Sequence, residues 1–268
     1  MPNKMLSIII PSLNETYYLP RVLKSIKEQN YSCEVIVVNA GNYEEIKKIG
    51  AEAGADGAGA CEVKIIDCIV DSHGPAYARN VGAEAAAGNI LLFLDADVIL
   101  PEAFLADCIY EFEKKGLGIA GVYAVPHSDS RFDRFIWHIY NIGMGIMAKI
   151  RPEASGFCLF CKKEVHNIIG GFDKTITYRE DADYTTRASR QGQGKYGILK
   201  PRILISVRRF RNEGRLKMLG KYICLGIKGM FRTIKEDVGY SFGDYQLYKI
   251  SKKIYRSSIG TAKKIIEA

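Results

Sequence analysis

Two groups of carboxylates in this chain have the type and spacing to do chemistry. Asp95 and Asp97 flank a single alanine directly after the uninterrupted apolar run Ile90–Leu94. Such a run suits a strand buried on both faces of a parallel sheet, and open α/β sheets bind ligands at the carboxyl ends of their strands. Two carboxylates there can share a hard divalent cation, which takes oxygen ligands and bridges to substrate phosphates. The same pair also suits a turn and helix cap ahead of Pro101. The second group is Glu180-Asp181-Ala182-Asp183. Three carboxylates among four residues repel one another in water, which fits either a functional acid cluster or the first turn of a helix over residues 184–191, where acids complement the helix dipole. The two roles are compatible.

The elements that must position these groups alternate. Residues 6–10 form a short apolar run closed by Pro11, then a loop, then helical spacing over 17–29 at Leu19, Val22, Leu23 and Ile26. Residues 34–38 are a second apolar strand running into the turn-forming cluster Asn39-Ala40-Gly41-Asn42. This is a β-α-β unit, the building block of a parallel sheet. A helix over 43–53, a Gly/Ala loop over 54–60 and a strand over 63–70 follow. Gly74-Pro75 opens a helix that Gly88 stops. Beyond Asp97 the pattern predicts a helix over 101–115, a strand over 118–125, a long apolar segment over 131–149, a strand over 157–161 and two short strands over 195–199 and 203–207.

Composition bounds the class. The 268 residues, 47% hydrophobic and 25% charged, are those of a globular protein able to bury one large α/β core. No leader pattern opens the chain, so a secretory signal is not expected. Seven cysteines at irregular spacing do not suggest a disulfide framework, and a reducing cytosol is the default. Cys158 and Cys161 read as buried strand cysteines, since neither a second pair nor histidines stand near them to complete a zinc site. The segment 131–149 is too short in its uncharged part to span a membrane; it suits packing against the sheet or an interfacial, acceptor-lining helix. Charge is uneven. Residues 200–268 hold 17 Lys plus Arg against 5 Asp plus Glu, a net +12, which leaves −4 of the total +8 to residues 1–199.

The ordered set S-I-I-I-P-S-L-N-E (7–15), E-V-I-V-V-N-A-G (34–41), G-P-A-Y-A-R-N-V-G (74–82), D-A-D (95–97) and G-G-F-D followed by E-D-A-D (170–183) resembles the family 2 glycosyltransferases of GT-A fold, over about three quarters of the chain. The resemblance implies a Rossmann-like, mixed but mostly parallel α/β sheet flanked by helices, spanning 1–207. Residues 1–98 would form a half that binds a nucleoside diphosphate sugar, 99–207 a half that receives the acceptor, and 208–268 a basic, mostly helical extension. By position, Pro11, Asn14, Glu15, Asn39, Arg79 and Asp95 would meet the nucleotide sugar, and Asp97 with Asp95 would hold Mg²⁺ or Mn²⁺. Asp181 matches the catalytic base of inverting members, with Glu180, Asp183 and Gly156 on the acceptor side. Asn39 and Ala40 stand where relatives commonly carry two aspartates, and an Asn amide both donates and accepts where Asp only accepts.

The chemistry suits these residue types. A divalent cation can neutralise the departing diphosphate, and a carboxylate can take the proton of an attacking hydroxyl, a contribution of about 10²- to 10⁴-fold. Inversion is implied by the resemblance alone. A nucleotidyltransferase would place a glycine-rich basic loop after the first strand, where this chain has Pro-Ser-Leu-Asn-Glu. A non-catalytic nucleotide-sugar or membrane-binding module is countered by the intact acids. The acceptor is expected to be a saccharide or a lipid-linked group. Residues 208–232 mix cations with apolar positions three or four apart, as in a segment lying at a membrane interface, so a cytoplasmic protein with a peripheral membrane contact is expected, and nucleic acid is not.

Overall fold

The computed structural model describes residues 5–54, 61–68, 74–150, 152–176, 179–191, 194–208 and 214–215. The expected helical extension otherwise lies outside the described residues. Eight strands form one sheet in the order β3-β2-β1-β4-β7-β6-β8-β5. They are β1 (Leu6–Ser12), β2 (Cys33–Asn39), β3 (Cys61–Asp67), β4 (Ile90–Leu94), β5 (Val98–Ile99), β6 (Ile119–Pro126), β7 (Cys158–Lys162) and β8 (Tyr196–Ile205). Strands β1, β2, β3 and β4 are mutually parallel, β7 runs against both β4 and β6, and β8 returns parallel to β6 with β5 antiparallel at the edge. The sheet is therefore mixed and mostly parallel, as expected.

The unbroken apolar runs have a direct cause. In β1, Ile8 and Ile10 face one core while Ile9 faces the other; in β4, Leu92 and Leu94 oppose Leu91 and Phe93 in the same way. Helices α1 (Leu19–Lys27) and α4 (Phe104–Lys114) cover the first face, through Leu19, Val22 and Ile26 and through Phe104, Leu105 and Cys108. Helices α3 (Gly74–Ala85), α6 (Lys163–Ile168) and α7 (Glu180–Arg190) cover the second, through Ala76, Ala83, Val165, Tyr184 and Ala188. Helix α2 (Tyr43–Gly54) flanks the β3 edge, and α5 (Arg131–Ile150) packs on β6. Cys158 and Cys161 are buried on opposite faces of β7, where they cannot meet on one metal.

Several local features depart from the sequence reading. The two short strands expected over 195–207 are one strand, β8, with a bulge at Lys200 and Pro201: Val122 pairs with Leu199 and Tyr123 with Arg202. Pro201 has no N–H to give the ladder, and the N–H of Lys200 donates to Glu111 Oε2 at 2.8 Å instead. Helix α7 begins at Glu180, not at Tyr184. Cys33 and Cys61, 28 residues apart, are register partners on β2 and β3 and form a disulfide with Cα atoms 4.8 Å apart; their sequence spacing carries no sign of it.

One buried acid ties the first strands together. Glu34 Oε1 accepts the Ser7 hydroxyl at 2.5 Å and the Ala87 and Gly88 N–H groups at 2.6 and 3.1 Å, joining β1, β2 and the turn into β4. Burial pushes this carboxyl's pKa up, but the three donors outweigh it and the group ends below its ordinary value. Its contribution is present above the ordinary carboxyl pKa and is lost as pH falls through the lowered one. Glu34→Ala strands these donors and is expected to cost about 1–3 kcal/mol, read by urea unfolding at pH 7. An unchanged midpoint would contradict this role.

Candidate active site

The site collects at the carboxyl ends of β1, β2 and β4. Asn14, just past β1, takes a left-handed backbone at φ 55°, and Gly41 lies so close that a Cβ there would come within 2.6 Å of Asn14 Oδ1. Asn39 ends β2 fully buried. Its Oδ1 accepts the Gly41 N–H at 3.2 Å and its Nδ2 reaches Gly41 O and Asp67 Oδ1, each at 3.3 Å. The amide is used to shape the turn beneath Asn14 and offers no exposed surface to a ligand. Pro11 is half-buried beside it at the end of β1.

Arg79, on α3, joins the two halves. Its Nη2 lies 3.1 Å from Asp95 Oδ1 and 3.3 Å from Gly156 O, and its Nη1 lies 2.7 Å from Glu180 Oε1. The guanidinium is almost wholly buried, 5.4 Å from the centre of the Phe172 ring. Burial works against its charge, but Glu180, Asp95 and Asp181 more than offset that and raise its pKa. Phe172 is itself fixed by Asn80, which exchanges two 2.8 Å hydrogen bonds with its backbone beside the left-handed Gly170 and Gly171. The G-G-F-D stretch therefore frames the arginine.

Across Arg79, Asp181 Oδ2 accepts the Gly156 N–H at 2.5 Å and Oδ1 accepts the Ala182 N–H at 2.8 Å. Gly156 admits no side chain: a Cβ would sit 2.8 Å from Arg79 Nη2 and 3.2 Å from Asp181 Oδ2. The fold thus brings Arg79, Asp95, Gly156, Glu180 and Asp181 into one connected group. Asp183 turns away. It takes Arg187 Nε at 2.7 Å, and that guanidinium also donates to Ile169 O and Gly171 O at 2.8 Å each. Glu180 is 4% exposed and its Oε1 is taken by Arg79.

Arg208, just beyond β8, counts in the sequence among the cations of the interfacial segment 208–232, but the structure turns it onto two carboxylates instead. It grips Glu15 through two bonds, Nη1–Oε2 at 2.8 Å and Nη2–Oε1 at 2.5 Å, places Nε 3.1 Å from Asp97 Oδ2, and lies over the Tyr18 ring. Nothing in the sequence distinguishes it from its basic neighbours; 193 residues separate it from Glu15. Arg208, Asp97 and Tyr18 line a cleft of about 650 Å³ whose far wall includes His127 and Ser128. Among the described residues no three or more His, Cys, Asp or Glu side chains converge on one point. A cation at Asp95 and Asp97 would therefore complete its shell with phosphate oxygens and water, the usual habit of Mg²⁺. The carboxylates suit such an ion, and Asp97 already holds a positive charge beside it.

The mixed, mostly parallel sheet flanked by helices is of GT-A type. Residues 7–167 match the family described as Glycosyl transferase family 2, and the chain belongs to it. It is 28% identical over 195 residues to the glycosyltransferase AglE of Haloferax volcanii, covering 69% of this chain and 62% of that protein. It is 32% identical over 111 residues to the 4,4'-diaponeurosporenoate glycosyltransferase of Staphylococcus haemolyticus, covering 40% of this chain and 28% of that one. The chain thus spans less than two thirds of the length of these curated relatives. The mannosyltransferase PcManGT of Pyrobaculum calidifontis, solved with GDP-Man and Mn²⁺, superposes with a TM-score of 0.61 at 21% identity, over 83% of this chain and 64% of that one. TarS of S. aureus (residues 1–349) superposes at 0.59 and 18% identity, over 75% of this chain and 60% of that one. At these identities the superpositions establish the fold.

Burial raises the pKa of Glu180 to about 7, with Arg79 opposing and Asp181 adding to the rise. The native state then keeps a proton that the unfolded chain has released from about pH 4.5 upward, so stability present at low pH is lost as pH rises toward 7. Glu180→Gln is expected to flatten that decline, measured as the change in melting temperature between pH 5 and pH 8. Parallel profiles for variant and wild type would contradict the assignment.

Proposed function

We propose that this glycosyltransferase moves a sugar from a nucleoside diphosphate sugar to an acceptor hydroxyl or phosphate with inversion, using Mg²⁺ or Mn²⁺ at Asp95 and Asp97 and Asp181 as the base. The observation that carries the reading is the Arg79 junction, which unites the Asp95 carboxylate of one half with the Gly156, Glu180 and Asp181 group of the other. Two of the structural neighbours were solved with nucleotide sugars, GDP-Man in PcManGT and UDP-GlcNAc in TarS, which supports the donor class. The Mn²⁺ of the PcManGT complex supports the cation.

In this reading Pro11, Asn14 and Glu15 line the nucleoside side, with Asn39 supporting them from below. The cation supplies neutralisation of the departing diphosphate. Asp181, oriented by the Gly156 and Ala182 amides, takes the proton of the acceptor as its oxygen bonds to the anomeric carbon and the bond to the diphosphate breaks. Glu180 positions Arg79, and Arg79 fixes Asp95. The staphylococcal relative is named for 4,4'-diaponeurosporenoate, and a saccharide or a lipid-linked group is the acceptor class read here. Among the described residues no helix is long and apolar enough to cross a membrane, and residues 208–232 are read as a peripheral contact on the cytosolic face.

Three variants test this. Asp97→Asn keeps the shape and removes the charge, so calorimetry should find metal-dependent nucleoside diphosphate affinity lost; unchanged affinity would sink the cation site. Asp181→Asn should bind donor as wild type does and transfer at least about a hundredfold more slowly, whereas near wild-type transfer would move the base elsewhere. Arg208 and the cation seek the same carboxylate, so Arg208→Ala should tighten Mn²⁺ binding without nucleotide by about fivefold, the upper range for a partly exposed ion pair. Paramagnetic resonance of free Mn²⁺ reads this directly, and equal or weaker binding by the variant would contradict the competition.

A further inference from the structure

Helix α5 is amphipathic in an unusual sense: it packs one face inward and leaves a second apolar face uncovered. Inward, Ile136 and Met144 are buried, Asn141 exchanges hydrogen bonds of 3.1 and 2.7 Å with the backbone of Ala124 on β6, and the Tyr140 hydroxyl bonds Ser155. Outward, Phe132, Phe135, Ile139, Ile142 and Ile146 are 41–61% exposed and follow one another at steps of three and four residues. They are five of the nine large hydrophobic side chains exposed among the described residues, all on one stripe. Scattered exposed apolar residues need no explanation, but a contiguous stripe of this kind marks a contact surface.

Charge decides what it contacts. The exposed ionised residues of α5 are Arg131, Arg134 and Lys149, all basic. Its one acid, Asp133, is buried and bound by Arg215 at 2.7 and 3.2 Å. A second copy packed stripe to stripe would set cations against cations, whereas an anionic lipid surface complements them. Arg215 is fixed to the first turn of α5, and the sequence that continues from it, residues 216–232, carries four Lys or Arg and no Asp or Glu among Leu, Ile, Met, Tyr and Phe.

We infer that the outer face of α5 is a docking surface for an anionic lipid bilayer, entering the interface with Phe135, Ile139 and Ile142 while Arg131, Arg134 and Lys149 meet the headgroups. The inner face of the same helix reaches the acceptor side in two steps, from Tyr140 to Ser155 and on to Gly156, whose N–H holds Asp181. Docking by α5 therefore sets Asp181 at a fixed place beside the bilayer, where an acceptor anchored by a hydrocarbon tail presents its polar end. This inference extends the acceptor part of the proposed function, and donor binding by the same proteins reports on the glycosyl-transfer reading separately.

The test compares the full chain with its Phe135→Glu/Ile139→Glu/Ile142→Glu variant in co-sedimentation with vesicles of phosphatidylglycerol and phosphatidylcholine, and of phosphatidylcholine alone. Wild type should partition to the anionic vesicles in a salt-sensitive way, and the variant at least about tenfold less, with nucleoside diphosphate affinity unchanged in both. Because the three side chains are exposed, the variant should fold as wild type does. A second arm avoids the triple variant altogether: Phe135→Trp in a Trp137→Phe background puts the chain's single indole on the outer face of α5, where brominated lipid should quench its fluorescence. Equal partition of variant and wild type, an indole that brominated lipid leaves unquenched, or a wild-type dimer that the variant converts to monomer with vesicle binding unaltered would each overturn the inference. Loss of donor binding in wild type itself would instead defeat the glycosyl-transfer reading and leave the docking result standing.

Discussion

A buried guanidinium sets the terms of this structure. Arg79 is 3% exposed and keeps its charge, so it must be surrounded by acceptors or the fold would carry an uncompensated ion at a cost of several kcal/mol. Its acceptors come from three places in the sequence: the end of β4, the loop before β7 and the first turn of α7. The two Nη groups of one arginine therefore tie the two halves of the sheet together, while its buried Nε makes no hydrogen bond among the described residues. The tie also crowds Glu180, Asp95 and Asp181 together, and that crowding is tolerable only because the arginine is there. Structural need and chemical capacity are the same arrangement.

The arrangement separates two jobs that the acids alone could not divide. Glu180 is buried, its pKa raised to about 7 and its carboxylate taken by Arg79, while Asp181 next to it has both oxygens aimed by backbone amides. One residue of a consecutive pair is spent on the arginine and the other on backbone amides. At the opposite wall Asp97 and Glu15 are bridged by Arg208, which sets a positive charge between the two carboxylates. Helix α5 stands between these regions and the outside, fastened to β6 on one face and apolar on the other.

How much of this the sequence disclosed depended on whether the signal was local. Ile8 to Ile10 and Leu91 to Leu94 read as two-faced strands because every residue in them is apolar, and the ends of those runs located Asp95 and Asp97 correctly in the fold. Strand β5, of two residues, and α6, of six, are too short for a period to emerge. Pro201 made one bulged strand look like two. The disulfide between Cys33 and Cys61 and the grip of Arg208 on Glu15 depend on register and on chain return, which no spacing encodes. Asp183 shows the converse. It shares its neighbours' type and spacing, yet an Arg187 one helical turn away claims it, so composition marked three carboxylates where geometry sets two apart from the third.

The central claim is that the donor lies across β1, β2 and β4 and that Asp181 activates an acceptor arriving from the other side of the anomeric carbon. Such a single displacement changes the configuration at that carbon. The most direct measurement is proton NMR of the product as it forms, starting from an α-linked nucleotide sugar that raises the protein's melting temperature in the presence of Mn²⁺. The account predicts a β-linked product from the first turnover. An α-linked product would contradict it, because retention requires a second nucleophile or attack from the diphosphate side, and the arrangement around Arg79 and Asp181 would then need a different explanation.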